Sequence, residues 1–120
     1  MNVRGFYPLW IASKNGHNEI VSFLLENNVN VDSSSRGETS LIAASYHGHT
    51  TVAEILLAHN ANIDFLSQTG ELQTPLYTAC KANEPEMVRL LLNHNADINI
   101  VDVGGQTPLW VAAERGYYKP

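Results

Sequence analysis

The 120-residue sequence has one cysteine, no Asn-x-Ser/Thr site, only 16% charged residues and no long uninterrupted apolar run. Each absence excludes something. A single thiol, Cys80, cannot close an internal disulfide, and without a glycosylation acceptor nothing points to a secreted framework. Crossing a bilayer takes about 20 apolar residues in a row, and Met1-Asn2-Val3-Arg4-Gly5 lacks the apolar core of a signal peptide. The expectation is a reducing compartment, cytoplasmic or nuclear, with no membrane insertion. A basic excess is missing too: seven Lys and Arg stand against twelve Asp and Glu, a formal net charge of -5. That sign opposes the phosphate backbone at long range and makes nucleic acid a poor partner.

What is present is apolar content of 44%, enough for one folded domain, and twelve asparagines. A chain of this size buries roughly two-thirds of its unfolded surface, which excludes a disordered segment of this composition. The sequence also repeats itself. Tyr7-Pro8-Leu9-Trp10-Ile11-Ala12, Thr39-Ser40-Leu41-Ile42-Ala43-Ala44, Thr74-Pro75-Leu76-Tyr77-Thr78-Ala79 and Thr107-Pro108-Leu109-Trp110-Val111-Ala112 are one motif, their leucines 32, 35 and 33 residues apart. A second motif follows three of the four copies: Ile20 to Leu25, Val52 to Leu57 and Met87 to Leu92. A period of this length signals stacked supersecondary units.

Each unit reads as two helices. Thr39, Thr74 and Thr107 supply side-chain oxygens for N-caps, with Tyr7 in the same place of the first unit, and Ser40, Pro75 or Pro108 opens the helix. The first helix runs about two turns and stops at Gly16, Gly48, Asn83 or Gly116. The second is expected to bury Ile20, Phe23 and Leu24; Val52, Ile55 and Leu56; Met87, Leu90 and Leu91, and to end at Asn28, Asn60 or Asn95. His59 and His94 stand where an imidazole can cap the last carbonyls. Residues 29–32, 61–64 and 96–99 alternate polar and apolar and are expected as short hairpin arms.

This pattern resembles the ankyrin repeat over nearly the whole chain, through G-x-T-P-L-x-x-A-A, then G-H-x-E-I-V-x-x-L-L, then A-D-I-N. The resemblance implies an all-α solenoid of helix-turn-helix units joined by hairpin-like loops, with units near 4–35, 36–68 and 69–102 and a half unit at 103–120. It implies a non-catalytic module for protein-protein interaction that needs no cofactor. The alternative is a regulatory or spacer segment of a larger ankyrin-containing enzyme, channel or effector. One departure matters: the residue after Thr-Pro-Leu, usually His, is Trp10, Ile42, Tyr77 or Trp110, so the usual histidine-to-loop hydrogen bond must be absent or replaced.

Within such a stack the variable positions of the loops and first helices are free to meet another protein or peptide. They are Phe6, Trp10, Lys14, Asn15, Arg36, Glu38, Ser45, Tyr46, Gln68, Glu71, Leu72, Tyr77, Lys81, Gln106, Trp110, Glu114 and Arg115. Trp10, Tyr77 and Trp110 bind only if their rings reach the groove, and otherwise pack against the next loop. Lys14, Arg36, Lys81 and Arg115 fall on this side while Glu19, Glu26, Glu54 and Glu86 fall on the second helices. The expected partner segment therefore carries apolar or aromatic anchors and some acidic character. By resemblance, Leu91 followed by Asp97-Ile98-Asn99 fits the spacing of ankyrin substrates of an iron-dependent asparaginyl hydroxylase, which makes Asn99 a candidate modification site; Asn99 also suits a turn.

Catalytic chemistry competes weakly. His47 and His49 could contribute two metal ligands, but His49 and His17 share one repeat position, so their presence follows from the repeat. Cys80 falls at the small-residue position of the first helix, where a buried thiol is inert. The fourth unit lacks its second motif, so Leu109, Val111 and Ala112 are expected to lack their usual cover. A fragment of a longer array, or end-to-end self-association through this unit, is the corresponding expectation.

Overall fold

The computed structural model describes residues 6–35, 37–67 and 73–115, the side chains of Phe6, Tyr7 and Arg115 lying outside that description. Its elements are α1 (Phe6–Lys14), α2 (Asn18–Glu26), β1 (Ser34–Ser35), β2 (Glu38–Thr39), α3 (Ser40–His47), α4 (Thr50–Ala58), α5 (Pro75–Lys81), α6 (Pro85–Asn93) and α7 (Pro108–Arg115). Two layers result. α1, α3, α5 and α7 pack side by side in one, while α2, α4 and α6 form the other, each against its own first helix. The body measures 40 × 27 × 21 Å. Among the described residues no helix is long and apolar enough to cross a membrane.

The helix boundaries follow from local chemistry. Thr39 Oγ1 accepts from the Ile42 N–H at 3.3 Å, Thr74 Oγ1 from Tyr77 at 3.1 Å and Thr107 Oγ1 from Trp110 at 3.2 Å, one N-cap repeated three times. α1 instead begins at Phe6, so Tyr7 lies inside the helix rather than before it. At the far ends, Gly16, Gly48 and Asn83 after the first helices and Asn28, Asn60 and Asn95 after the second all take positive φ, from 60° to 75°. Each lets the next N–H turn back onto the helix, as His49 N does to Ala44 O at 3.0 Å and Ala61 N to Leu56 O at 3.0 Å. His59 Nδ1 donates to Ile55 O and His94 Nδ1 to Leu90 O, both at 3.0 Å, the carbonyl capping expected of them.

The core is a column of repeated positions. Leu9, Leu41 and Leu76 from the first layer meet Val21, Leu56, Met87 and Leu91 from the second, all nearly or wholly inaccessible. Small residues between them, Ala12, Ala44, Ala79 and Ala112, let adjacent first helices approach closely.

Three expectations are corrected. In α2 the buried residues are Val21 and Leu25, whereas Ile20 is 50% and Phe23 63% exposed. The counterparts of Ile20, Val52 and Met87, are fully buried because each faces a preceding unit. No described element covers Ile20 in that way, so its burial is decided by a neighbour rather than by its own helix. Residues 29–32, 61–64 and 96–99 are turns, not strands: Asp32, Asp64 and Asn99 donate their N–H groups to Asn30, Asn62 and Asp97 side chains at 2.9–3.0 Å. The hairpin arms lie a few residues later. β1 and β2 pair antiparallel with Ser34 opposite Thr39, and backbone bonds from Ser67 N to Gln73 O at 2.8 Å and from Asp102 N to Gln106 O at 3.0 Å bridge the later loops. Finally, Val111 and Ala112 are buried, because α7 packs directly on α5; Leu109 is left partly exposed.

Carboxylates also tie successive turns together. Asp32 Oδ1 accepts from Asn62 N and Asp64 Oδ1 from Asp97 N, both at 2.9 Å, so each turn is bonded to the one after it.

Candidate functional site

The first helices present their unburied edges to one side of the stack, where they border a cavity of about 650 Å³. α1 contributes Trp10 and Lys14, β2 contributes Glu38, α3 contributes Ile42, Ala43, Tyr46 and His47, and α5 contributes Thr78 and Lys81. Ser67 and Gln73, at the two ends of the second loop, complete the wall. Lys14 Nζ stands 5.1 Å from the Trp10 ring centroid, a cation over an aromatic face. Tyr46 is 54% exposed on the rim and meets the His47 ring edge-on at 5.0 Å. The floor, Ile42 and Ala43, is apolar and already packed.

Charge is unevenly placed here. Glu38 is half-buried, and that desolvation pushes its carboxyl above the ordinary range, opposed by the nearby Lys14 charge. His47 is pushed below its ordinary value by partial desolvation first, then by His49 and Lys14, with Glu84 opposing. Among the described residues the cavity is bordered by two lysines and one glutamate, on a chain of formal charge -5.

The candidate residues divide. Trp10, Lys14, Glu38, Tyr46 and Lys81 come together around this cavity. Tyr77, Gln106 and Glu114 border a second cleft of about 320 Å³, which Lys81 also borders from its other side. Asn15 and Trp110 are exposed and border neither. Ser45 is removed from the surface: it is wholly buried and its hydroxyl donates to Leu41 O at 2.7 Å. Arg36, Gln68, Glu71 and Leu72, and the side chains of Phe6 and Arg115, lie outside the described residues. Asn99 is exposed, and the turn it sits in is held by Asp97 Oδ1 rather than by its own amide.

Tyr77 answers the question raised by the missing histidine. Its ring is buried and its hydroxyl donates to Asp102 Oδ2 at 2.7 Å in the following loop. Asp102 Oδ1 accepts from Gly104 N at 2.8 Å and Gln106 N at 2.9 Å. The Tyr77 hydroxyl, then the Gln106 and Gly104 N–H groups and the Lys81 charge, hold the Asp102 carboxyl below the usual carboxylate range. Tyr77 is thus a loop anchor rather than a free contact. Sequence reading offers no candidate at Asp102 or Ser67, whereas Gln73 stands among the variable loop positions. A signal was present, since Ser35, Ser67 and Asp102 each place an oxygen-bearing side chain at the entry to a loop.

His47 and His49 stack with centroids 6.0 Å apart, and His49 Nε2–H donates to Lys14 O at 3.0 Å, joining the second unit to the first. Among the described residues no three His, Cys, Asp or Glu side chains form a cluster able to hold a metal. Cys80 is buried and desolvation pushes its thiol up to about 11. At pH 8 about one thiol in a thousand is then ionised. An aromatic disulfide reagent is expected to label the native chain far more slowly than the urea-unfolded chain; equal rates would show Cys80 to be accessible.

A two-layer stack of short helix pairs repeated along the chain defines a helical repeat solenoid. Comparison with known proteins gives the family. Residues 1–67 match a family model described as ankyrin repeats (3 copies), and residues 58–112 match one described as ankyrin repeats (many copies). The chain belongs to the ankyrin-repeat family. It is also similar to Regulatory protein NPR5 of Arabidopsis thaliana, 51% identical over 37 residues, which is 31% of this chain and 8% of that protein.

Proposed function

We propose that this stack is a non-catalytic module that holds an extended segment of a partner protein along the edges of α1, α3 and α5. Ankyrin repeats are generally protein-interaction modules, and the observation that supports this site is the cavity of about 650 Å³ bordered by side chains from three successive units. A volume in this range accommodates several side chains of a bound segment. An exposed tyrosine is an apt interface anchor, because its rigid ring offers area at small entropic cost.

The reading makes position decisive. A photo-crosslinking amino acid in place of Tyr46 is expected to capture a partner, and one in place of Glu54, exposed on α4, is not. Capture from Glu54 alone would move the binding surface to the second layer.

A second reading draws on the match to 8% of a longer regulatory protein. Here the ankyrin units act as the recognition segment of a larger regulatory polypeptide. An antibody to this chain detecting a native product much larger than 13.2 kDa supports it, and a product of that mass opposes it.

A further inference from the structure

We propose that the open face of α1 and α2 is one half of an interface, which stacks against a further helix pair of the same kind carried ahead of α1 on the same polypeptide. This face lies at the end of the stack, and its occupant is independent of what the groove holds.

Three columns of equivalent positions are filled inside the stack and open at this end. The first is apolar. Ile11 is 47% exposed, whereas Ala43, Thr78 and Val111 at the same position of α3, α5 and α7 are buried. No described helix follows α7, so the cover over Val111 comes from α5, the first helix before it. Met87 repeats the logic in the second layer. No second-layer helix follows α6 among the described residues, yet Met87 is wholly buried, and Ile20 at the same position is half exposed. The preceding unit therefore confers burial at both positions. Phe23, three residues beyond Ile20, is exposed as well, so the end of the stack leaves a joined apolar surface in water.

The other two columns are polar. Asn62 N and Asp97 N donate to the Asp32 and Asp64 side chains of the preceding turn. Asn30 N holds the same place, exposed and without an acceptor among the described residues. The His49 ring reaches Lys14 O at the end of the preceding first helix. His17 stands at the same position, exposed and without a hydrogen-bond partner among the described residues. Water satisfies exposed groups of this kind, so the apolar surface supplies the driving force while Asn30 and His17 fix the register.

The three columns together specify the occupant. Its second helix lays an apolar edge on Ile20 and Phe23, its first helix ends with a free carbonyl beside His17, and its closing turn sets an Asp or Asn side chain against Asn30 N. These are the features that the units inside the chain offer one another. A second copy stacked through α7 offers only some of them. Behind α7 no second-layer helix stands among the described residues, so Ile20 and Asn30 N would remain unmet. Size disfavours a separate partner. With four first helices side by side along the 40 Å axis, the end of the stack is 27 × 21 Å, short of the roughly 800 Å² per partner that a stable complex buries. A unit joined through the chain docks at an effective concentration on the order of millimolar and needs less area.

Two measurements test this. A second copy of residues 5–36 inserted ahead of residue 5 supplies such a unit and keeps the spacing of Leu9 and Leu41. In the extended chain the original Asn30 amide is expected to exchange with deuterated water about tenfold more slowly than in the 120-residue chain. Asp32→Ala in the added copy alone restores the fast exchange. Ile20→Ser in the original unit is expected to lower the urea midpoint of the extended chain about twice as far as that of the 120-residue chain. Unchanged Asn30 exchange, an Ile20→Ser effect equal in the two chains, or an added copy that contributes no helix by circular dichroism would each overturn the assignment of this face. The source of the unit is read from the native polypeptide, isolated with an antibody to this chain and sequenced by mass spectrometry. Peptides ahead of residue 1 that repeat the pattern of Leu24 to Asp32 are expected. A native polypeptide that begins at Met1 would overturn the proposal, whether it sediments as a monomer or as a dimer.

Discussion

Replacing Leu41 by alanine is expected to cost about 2–5 kcal/mol of unfolding free energy, while the same change at Leu109 costs about 1 kcal/mol or less. The two leucines occupy the same place in the repeat, the third residue of Thr-Ser-Leu and Thr-Pro-Leu respectively, and begin with the same side chain. Leu41 is 1% exposed and belongs to the continuous core, whereas Leu109 is 42% exposed. Truncating Leu41 removes its transfer free energy and leaves a cavity that the rigid helix pairs on either side close only in part. At Leu109 water occupies the vacated space, so only part of the transfer free energy is lost. Because a domain of this size has a total stability of about 5–15 kcal/mol, Leu41→Ala alone removes a large share of it. Urea unfolding followed by circular dichroism measures both. Equal losses would mean that Leu109 is covered in solution, by another copy or by residues outside those described.

That contrast also marks what the sequence can and cannot disclose. The threonine caps and the asparagines after the second helices are legible because each is a local requirement: an oxygen for free N–H groups, or a residue that tolerates positive φ. The twelve asparagines, an oddity of composition, become punctuation once Asn28, Asn60, Asn83 and Asn95 are found at positive φ. Burial is less legible, because the face a helix hides is chosen by its neighbours. Ile20 and Val52 are equivalent letters of the repeat, yet one is half exposed and the other fully buried.

The site shows the same division. Variability singled out Ser45 and Tyr46 together, but they are adjacent on a helix and so point about 100° apart. Ser45, four residues after Leu41, stays on the buried face and bonds back to Leu41 O, while Tyr46 turns to the groove. Helical phase, rather than variability, separates them. The aromatics at the histidine position divide by chemistry. Tyr77 has a hydroxyl at the reach of Asp102, whereas Trp10 has only an indole N–H, for which no partner exists among the described residues. Trp10 instead serves as a flat wall under Lys14.

The junction between the first two units gives the second large effect. Gly16→Ala is expected to cost about 2–3 kcal/mol, more than the roughly 1–2 kcal/mol that a left-handed alanine costs by itself. Gly16 has φ 75°, and a Cβ built there would lie 2.8 Å from His49 Nδ1 and 2.9 Å from His49 Cε1. The imidazole must therefore move, and with it goes the His49 Nε2–H bond to Lys14 O that joins the two units. The excess is the value of that bond, about 0.5–1.5 kcal/mol. A double-mutant cycle isolates it. His49→Ala alone loses the hydrogen bond, and Gly16→Ala added to it then costs only the backbone conformation, so the two single losses sum to more than the double loss. Asn83 supplies the control, since it holds the same place after α5 with φ 60° and already carries a Cβ. Asn83→Ala is expected to cost only the difference between asparagine and alanine in the left-handed region, about 1 kcal/mol. Strict additivity of Gly16→Ala and His49→Ala in urea unfolding would show that the imidazole yields freely and that the contact contributes nothing to the junction.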